Sequence, residues 1–305
     1  MNCPILQTPK TLRSPVRIAC IQFASGPDKS ANIQLARDGV FTAARNGARI
    51  VVLPECFNSP YATSAFRQYA EVLSPNSVSE DASPTFDALS QMAREAGVFL
   101  VGGSIPELES NSQNIFNTCL VFSPQGVLLD FHRKAHLFNV DFPAMRFRES
   151  DVLTPGNAIT IVELGDYGKI GLGICFDVRF PEPASIAARQ GAFALIYPSA
   201  FNHTTGPLHW ELLSRSRALD NQVFVAMCSQ AFESSSAYPA WGHSMIVDPS
   251  GQIMATASRD DAIVYADLCD DAIQESRQQI PLTTQRRFDL YPDVSKGYEK
   301  PALAE

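Results

Sequence analysis

The chain has 305 residues, 45% of them hydrophobic and 18% charged, enough to bury a sizeable core without a metal or disulfide staple. Its formal net charge of -8, with no basic stretch, argues against nucleic acid as a partner. No apolar run approaches the roughly 20 residues of a membrane span, and the N-terminus lacks a signal-peptide core, so a membrane role is not expected.

The first segment, 1–15, reads as a disordered extension. With Lys10, Arg13 and Arg17 and no acid before Asp28, this end weakly resembles an organelle transit peptide, with a plain extension as the alternative. Val16 to Phe23 is strand-like by length and β-branching. Ser30 to Gly47 has helical apolar spacing, with Gly47 placed as a C-terminal stop. Ala48 to Glu55 reads as a buried strand, 76–85 as turn chemistry and Phe86 to Gly97 as a second helix. Val98 to Ile105 reads as one strand, and Asn114 to Lys134 as a hairpin about Ser123-Pro124-Gln125-Gly126. A second hairpin turns at 165–168 and a third at 248–251. Strands over Phe193 to Ala200 and Gln222 to Gln230 flank a helix over His209 to Asn221, and a strand at Ala262 to Leu268 precedes a last helix. No Pro/Ser/Gly linker divides the chain, so one domain over 16–293 with a tail over 294–305 is expected, of the α/β class with a mixed sheet.

Seven scattered cysteines without a C-x-x-C pair make a poor disulfide framework and a poor zinc site, and point to a reducing compartment, the cytoplasm. His132 and His136 have a metal-ligand spacing only on a helix, and their segment reads as strand, so no metal is expected. Gly171 and Gly173 lack the third glycine of a dinucleotide fingerprint, and P-loop, zinc-protease and serine-elbow motifs are absent from the sequence.

Three apolar runs end alike, in Glu55, Lys134 and Cys175, where open α/β sheets build sites. A thiolate nucleophile, a carboxylate to move its proton and an ammonium to hold a developing oxyanion form a coherent set. Taken singly, Cys175 also reads as a buried structural thiol, Glu55 as a loop acid, and Lys134 beside Arg133 as a charged strand exit. Gly171 and Gly173 are expected to admit neighbouring backbone close to the strand before Cys175. The residues alone suggest a thiol-dependent hydrolase.

The stretches VVLPECFNSPY, FHRKAHLF and GLGICFDVRFPE resemble the Glu, Lys and Cys motifs of the nitrilase superfamily of carbon–nitrogen hydrolases, in that family's order. HLFNVDFP, FRES, AFNHTTGPLHWELLSRSRALDNQVFVA, AWGHSMIVDPSG and RQQIPLTTQRRFDLY resemble its ω-amidase branch. The resemblance implies a four-layer αββα sandwich that pairs into a homodimer. It further implies a cofactor-free amidase that hydrolyses 2-oxoglutaramate and 2-oxosuccinamate to 2-oxoglutarate or oxaloacetate plus ammonia. By position, Glu55 is then the general base, Lys134 the stabiliser of the intermediate, Cys175 the nucleophile and Glu149 the second site carboxylate. The backbone N–H of Phe176 joins Lys134 at the oxyanion, Arg179 and Thr205 bind a carboxylate, and Phe201 is an apolar wall. Asn139 to Ala144 departs from the branch's usual Asp-Ile-Asp-Val-Pro-Gly, the loop to Glu149 is one residue shorter, and Phe176 replaces a common Tyr. The rival readings are a sister amidase of deaminated glutathione and a non-catalytic binding protein that keeps the fold.

Overall fold

The computed structural model describes residues 10–73, 83–142 and 145–291. In chain order the elements are β1 (Val16–Gln22), α1 (Lys29–Arg45), β2 (Ile50–Val52), α2 (Thr63–Tyr69), α3 (Pro84–Ala96), β3 (Phe99–Val101), β4 (Ile105–Leu108), β5 (Ile115–Phe122) and β6 (Leu128–Arg133). They continue with β7 (Asn139–Phe142), β8 (Met145–Arg148), β9 (Thr160–Glu163), β10 (Lys169–Leu172), α4 (Pro181–Arg189), β11 (Ala192–Ser199), α5 (Gly206–Asn221) and β12 (Phe224–Ser229). Last come β13 (Met245–Val247), β14 (Ile253–Thr256), β15 (Ala262–Leu268), α6 (Asp270–Gln279) and α7 (Leu282–Gln285).

One mixed sheet runs β15-β1-β2-β3-β5, with β4 beside β3 along one edge of β5 and β6 along the other. A second mixed sheet runs β14-β13-β12-β11-β10-β9. The two-residue period of a strand sorts each apolar run between two layers. In β1 and β2, Ile18, Cys20, Ile50 and Val52 face the second sheet, within a core shared with β10, β11 and β12. Their neighbours Ala19, Ile21 and Val51 face the other way, against Val40 of α1 and Leu89 and Met92 of α3. Helices α4 and α5 pack against β11 and β12, and the order of layers is αββα. Burial on both faces explains why these strands are continuous apolar runs rather than alternating ones.

The three expected hairpins form as β5–β6, β9–β10 and β13–β14. The expected strand over 98–105 is broken into β3 and β4, because Gly103 adopts φ +61 and leaves the sheet. The strand over 48–55 is likewise confined to β2, and residues 53–55 already turn toward the site. Sequence patterning misses α2, α4 and the β7–β8 hairpin, which replaces the expected loop before Glu149. Of the turn expected over 76–85, residues 76–82 lie outside the described residues, while Pro84 and Thr85 open α3. Residues 1–9 and the tail over 294–305 also lie outside them. Within the expected N-terminal extension, residues 11–13 are held to the domain. Leu12 is buried, Asp270 accepts the Thr11 and Leu12 N–H groups, and Arg13 pairs with Glu163 at 2.8 Å.

Gly103 packs so tightly that an added Cβ would sit 2.2 Å from the Pro54 carbonyl, one residue before Glu55. Gly103→Ala is therefore expected to destabilise the protein by about 1–3 kcal/mol, from steric clash and positive φ together. It should also impair activity by displacing Glu55. Urea unfolding checks the first effect and turnover the second.

Candidate active site

The ends of β2, β6 and β10 lie together, and the chain just beyond them carries Glu55, Lys134 and Cys175. The Lys134 ammonium has no solvent exposure. It donates to Glu55 Oε1 at 2.8 Å and Glu149 Oε1 at 2.9 Å. A solvated strand-exit lysine is therefore excluded. Its neighbour Arg133 points elsewhere, into Glu107 at 2.6 and 2.9 Å, with its guanidinium 3.7 Å above the Phe116 ring.

Each member is held from several sides. Asn117, in the middle of β5, accepts the Lys134 N–H on its backbone carbonyl at 2.8 Å and donates its side-chain amide to Glu55 Oε1 at 2.9 Å. Gln230, just past β12, donates to the Glu55 carbonyl at 2.7 Å, tying this residue to the second sheet. Glu149 receives the Phe138 N–H on Oε2 at 2.6 Å and the Tyr61 hydroxyl on Oε1 at 2.7 Å. Tyr61, Phe147, Phe138 and Tyr238 enclose this cluster, with the Tyr61 and Tyr238 rings 4.7 Å apart.

Cys175 is 4% exposed and sits at φ +47, the first residue of a one-turn 3-10 helix after β10. A non-glycine residue there is uncommon and is kept by the surrounding structure. The expectation about the preceding glycines needs correction: side chains, not backbone, approach them. A Cβ on Gly173 would lie 2.6 Å from the Tyr197 ring, and one on Gly171 2.6 Å from the Ala187 methyl.

The protonation behaviour follows from burial and charge. Burial raises Glu55 to about 7, against the opposing pull of Lys134, with Glu149 adding to the rise. Burial also pushes the Cys175 thiol well up, and Glu55 adds to this while Lys134 and the Ala200 backbone oppose it. Burial disfavours the Lys134 charge, but Glu149 and Glu55 outweigh it and hold the ammonium well above its usual range. Glu55 Oε2 is buried with no hydrogen-bond partner, leaving one carboxylate oxygen free to take a proton. The cluster can thus hold a neutral thiol beside a carboxyl poised to receive its proton, with a fixed cation alongside.

Arg179, on the turn that begins at Cys175, lies with its guanidinium over Phe201 at 5.0 Å and Phe176 at 5.4 Å. It has no carboxylate partner among the described residues. Nη1 meets His209 Nδ1 at 3.1 Å, and Nε is buried without a partner. Burial lowers its pKa. Thr205 stands at the N-terminus of α5, where Asn202 Oδ1 accepts its N–H at 2.8 Å and its hydroxyl at 3.0 Å. The Thr205 carbonyl accepts the His209 N–H, which links it to Arg179. All eight residues singled out from the sequence therefore fall in one region: Glu55, Lys134, Glu149 and Cys175 in the buried cluster, Phe176, Arg179, Phe201 and Thr205 beside it.

Tyr61, Asn117 and Tyr238 are additions that the sequence reading left without a role, while His209, read there as bordering the pocket or packing locally, stands against Arg179. Asn117 had a signal, a lone amide within an apolar strand. Tyr238 had none. Among the described residues no group of three or more His, Cys, Asp or Glu side chains is arranged to hold a metal ion.

The carbon–nitrogen hydrolase family matches residues 17–278, and the chain belongs to it. Within it, the chain falls in the omega-amidase branch of the nitrilase superfamily and is an amidase. It is 49% identical over 290 residues to omega-amidase NIT3 of Saccharomyces cerevisiae, covering 94% of this chain and 98% of the relative. It is 47% identical over 284 residues to omega-amidase NIT2 of Mus musculus, covering 93% and 99%. The crystal structure of Saccharomyces cerevisiae Nit3, described as a member of branch 10 of the superfamily, superposes with a TM-score of 0.85. That match is 47% identical and covers 92% of this chain and all of the other.

The raised Glu55 carboxyl carries a stability signature. Between about pH 4.5 and 7 the folded state holds a proton that the unfolded chain has lost. This contribution to stability is full below 4.5 and fades as pH rises through 7. The stability of the wild type relative to Glu55→Gln should therefore fall across that window and level off above it. Urea melts at each pH check this, and a flat difference would contradict it.

Proposed function

We propose that this ω-amidase hydrolyses short 2-oxo-ω-amides, 2-oxoglutaramate and 2-oxosuccinamate, through a thioester on Cys175. The carrying observation is a buried Cys–Glu–Lys–Glu cluster one turn away from a guanidinium that has no carboxylate partner. A dicarboxylate monoamide fits both ends. Its amide carbon meets Cys175, and its far carboxylate meets the Arg179 fork, with the Thr205 hydroxyl beside it. Phe201 walls the short chain between them.

Glu55, with its pKa near 7, takes the Cys175 proton as the sulfur attacks the amide carbonyl. The tetrahedral oxyanion is held by the Lys134 ammonium and the Phe176 N–H, since the first N–H groups of a helical turn have no acceptor within it. Glu55 returns the proton to nitrogen, the C–N bond breaks and ammonia leaves. Glu55 then takes a proton from water, which attacks the thioester, and the acid product departs as the thiol is restored. Glu149 keeps Lys134 charged and in place throughout.

Arg179→Lys keeps the charge but loses the fork. It should cut kcat/KM for 2-oxo-ω-amides by about tenfold or more, chiefly through KM. Cys175→Ala should fold and release no ammonia. Initial rates over a panel of ω-amides and deaminated glutathione check both; preference for the larger substrate would overturn the assignment.

The homodimer reading draws support from α5, the helix whose N-terminus Thr205 precedes. Its outer face exposes Leu208, Leu212 and Leu219, two of them by more than 60%. A second copy of the chain would cover this apolar row. Leu208→Asp/Leu212→Asp should convert a dimer to a monomer in light scattering. A cytoplasmic setting suits the cysteines, of which five of the six described are buried free thiols. Among the described residues no helix is long and apolar enough to cross a membrane.

A further inference from the structure

Asp177 is 3% exposed, and nothing in the reaction above uses it. Its two oxygens take four hydrogen bonds. Oδ2 accepts the Ile174 N–H at 2.9 Å and meets His132 Nε2 at 3.0 Å. Oδ1 accepts the His136 N–H at 2.9 Å and meets His136 Nδ1 at 2.7 Å. His132 and His136 lie two residues either side of Lys134, and Asp177 lies two residues after Cys175. A single carboxylate thus fastens the segment that carries Lys134 to the turn that carries Cys175. The outer ends are fixed too. His132 Nδ1 meets the Thr160 hydroxyl of β9 at 3.1 Å, and the His136 ring stacks on Phe180 at 3.7 Å between centroids.

We infer that Asp177, with His132 and His136, is a positioning clamp that sets the Lys134 ammonium and the Cys175 sulfur in register for attack. This rests on Cys175 and Lys134 being the reacting pair. The left-handed backbone at Cys175 needs such an external hold, because the conformation is unfavourable by itself. A carboxylate is required. Each oxygen faces one backbone N–H that cannot change its role, and an asparagine would turn an NH₂ against one of them whichever way it is placed. The clamp touches neither the amide end nor the carboxylate end of a substrate, so its loss should appear in kcat rather than KM.

The test measures ammonia release from 2-oxoglutaramate alongside the rate of Cys175 alkylation by iodoacetamide. Asp177→Asn should lower kcat by about 100-fold, the scale of an ångström-level misplacement, with KM changed by less than about threefold. His136→Leu should cost about tenfold in kcat, and His136→Asn, which restores a donor near the Nδ1 position, should recover most of it. His136 is half-buried and both variants lose its stacking on Phe180, so their comparison isolates the hydrogen bond and decides the matter even where Asp177→Asn does not fold. Wild-type kcat in folded Asp177→Asn, equal kcat in the two His136 variants, or a loss carried by KM would overturn the clamp. Full activity in wild-type protein whose Cys175 is completely alkylated would instead overturn the reading of Cys175, and the clamp with it.

Discussion

The site depends on one ammonium that has been removed from water. Lys134 is fully buried, and burying a charge costs several kcal/mol unless its neighbours compensate. Two carboxylates do so, Glu55 and Glu149, each within 2.9 Å. Two acids around one base leave an excess of negative charge in a dry place, and the structure resolves this unequally. Both Glu149 oxygens have donors, the Phe138 N–H on one and the Tyr61 hydroxyl and Lys134 ammonium on the other. Glu55 has one oxygen without any donor, and burial carries it to about 7. The acid left less satisfied is the one able to exchange a proton near neutral pH. Two chemically identical side chains around a single buried cation thereby differ in how fully they are hydrogen-bonded, and the proposed proton carrier is the less satisfied of the two.

The αββα architecture supplies what such a cluster needs. Glu55 and Lys134 leave the first sheet, Cys175 leaves the second, and the residues that tie them cross between the two. Gln230, from the end of β12, grips the Glu55 carbonyl, and Asp177 grips both segments around Lys134 and Cys175. Within the first sheet, Asn117 holds Lys134 by its backbone and Glu55 by its side chain, so displacing either end disturbs both. Packing the two sheets face to face is therefore part of the geometry of the candidate site as well as the main source of burial.

How much of this is legible in the sequence follows from how local each signal is. Glu55, Lys134 and Cys175 each close an apolar run, and a polar side chain there stands out in one dimension. Strands with both faces buried read as long apolar stretches, and β15 and the three hairpins follow from run length and turn chemistry. Helix α4 and the β7–β8 hairpin escape because their short segments lack a sustained period and gain stability from what they pack against. Tyr238 escapes for a related reason: it reaches the cluster from a loop, and only the folded chain brings it 4.7 Å from Tyr61. The histidines illustrate a subtler limit. Spacing alone argues that His132 and His136 cannot share a partner on a strand. They do share one, because the chain turns after β6 and Asp177 arrives from a distant strand end.

The two ends of the site are built on opposite electrostatic logic. Around Cys175 the one Lys134 ammonium faces two carboxyl groups, and this network is nearly closed within the protein itself. At the other end the Arg179 guanidinium lies between two aromatic rings with a neutral imidazole nitrogen as its acceptor and one N–H unmatched. Aromatic faces and a histidine nitrogen compensate a cation far less than a carboxylate does. On the proposed reading, a substrate that brings its own carboxylate completes this end, whereas a simple amide leaves the partly desolvated cation as it was. Binding energy from a group remote from the chemistry can in this way orient the amide at Cys175. In the proposed reaction, selection among amides then follows from an ion pair the protein leaves half made, while the chemistry follows from the buried cluster it completes by itself.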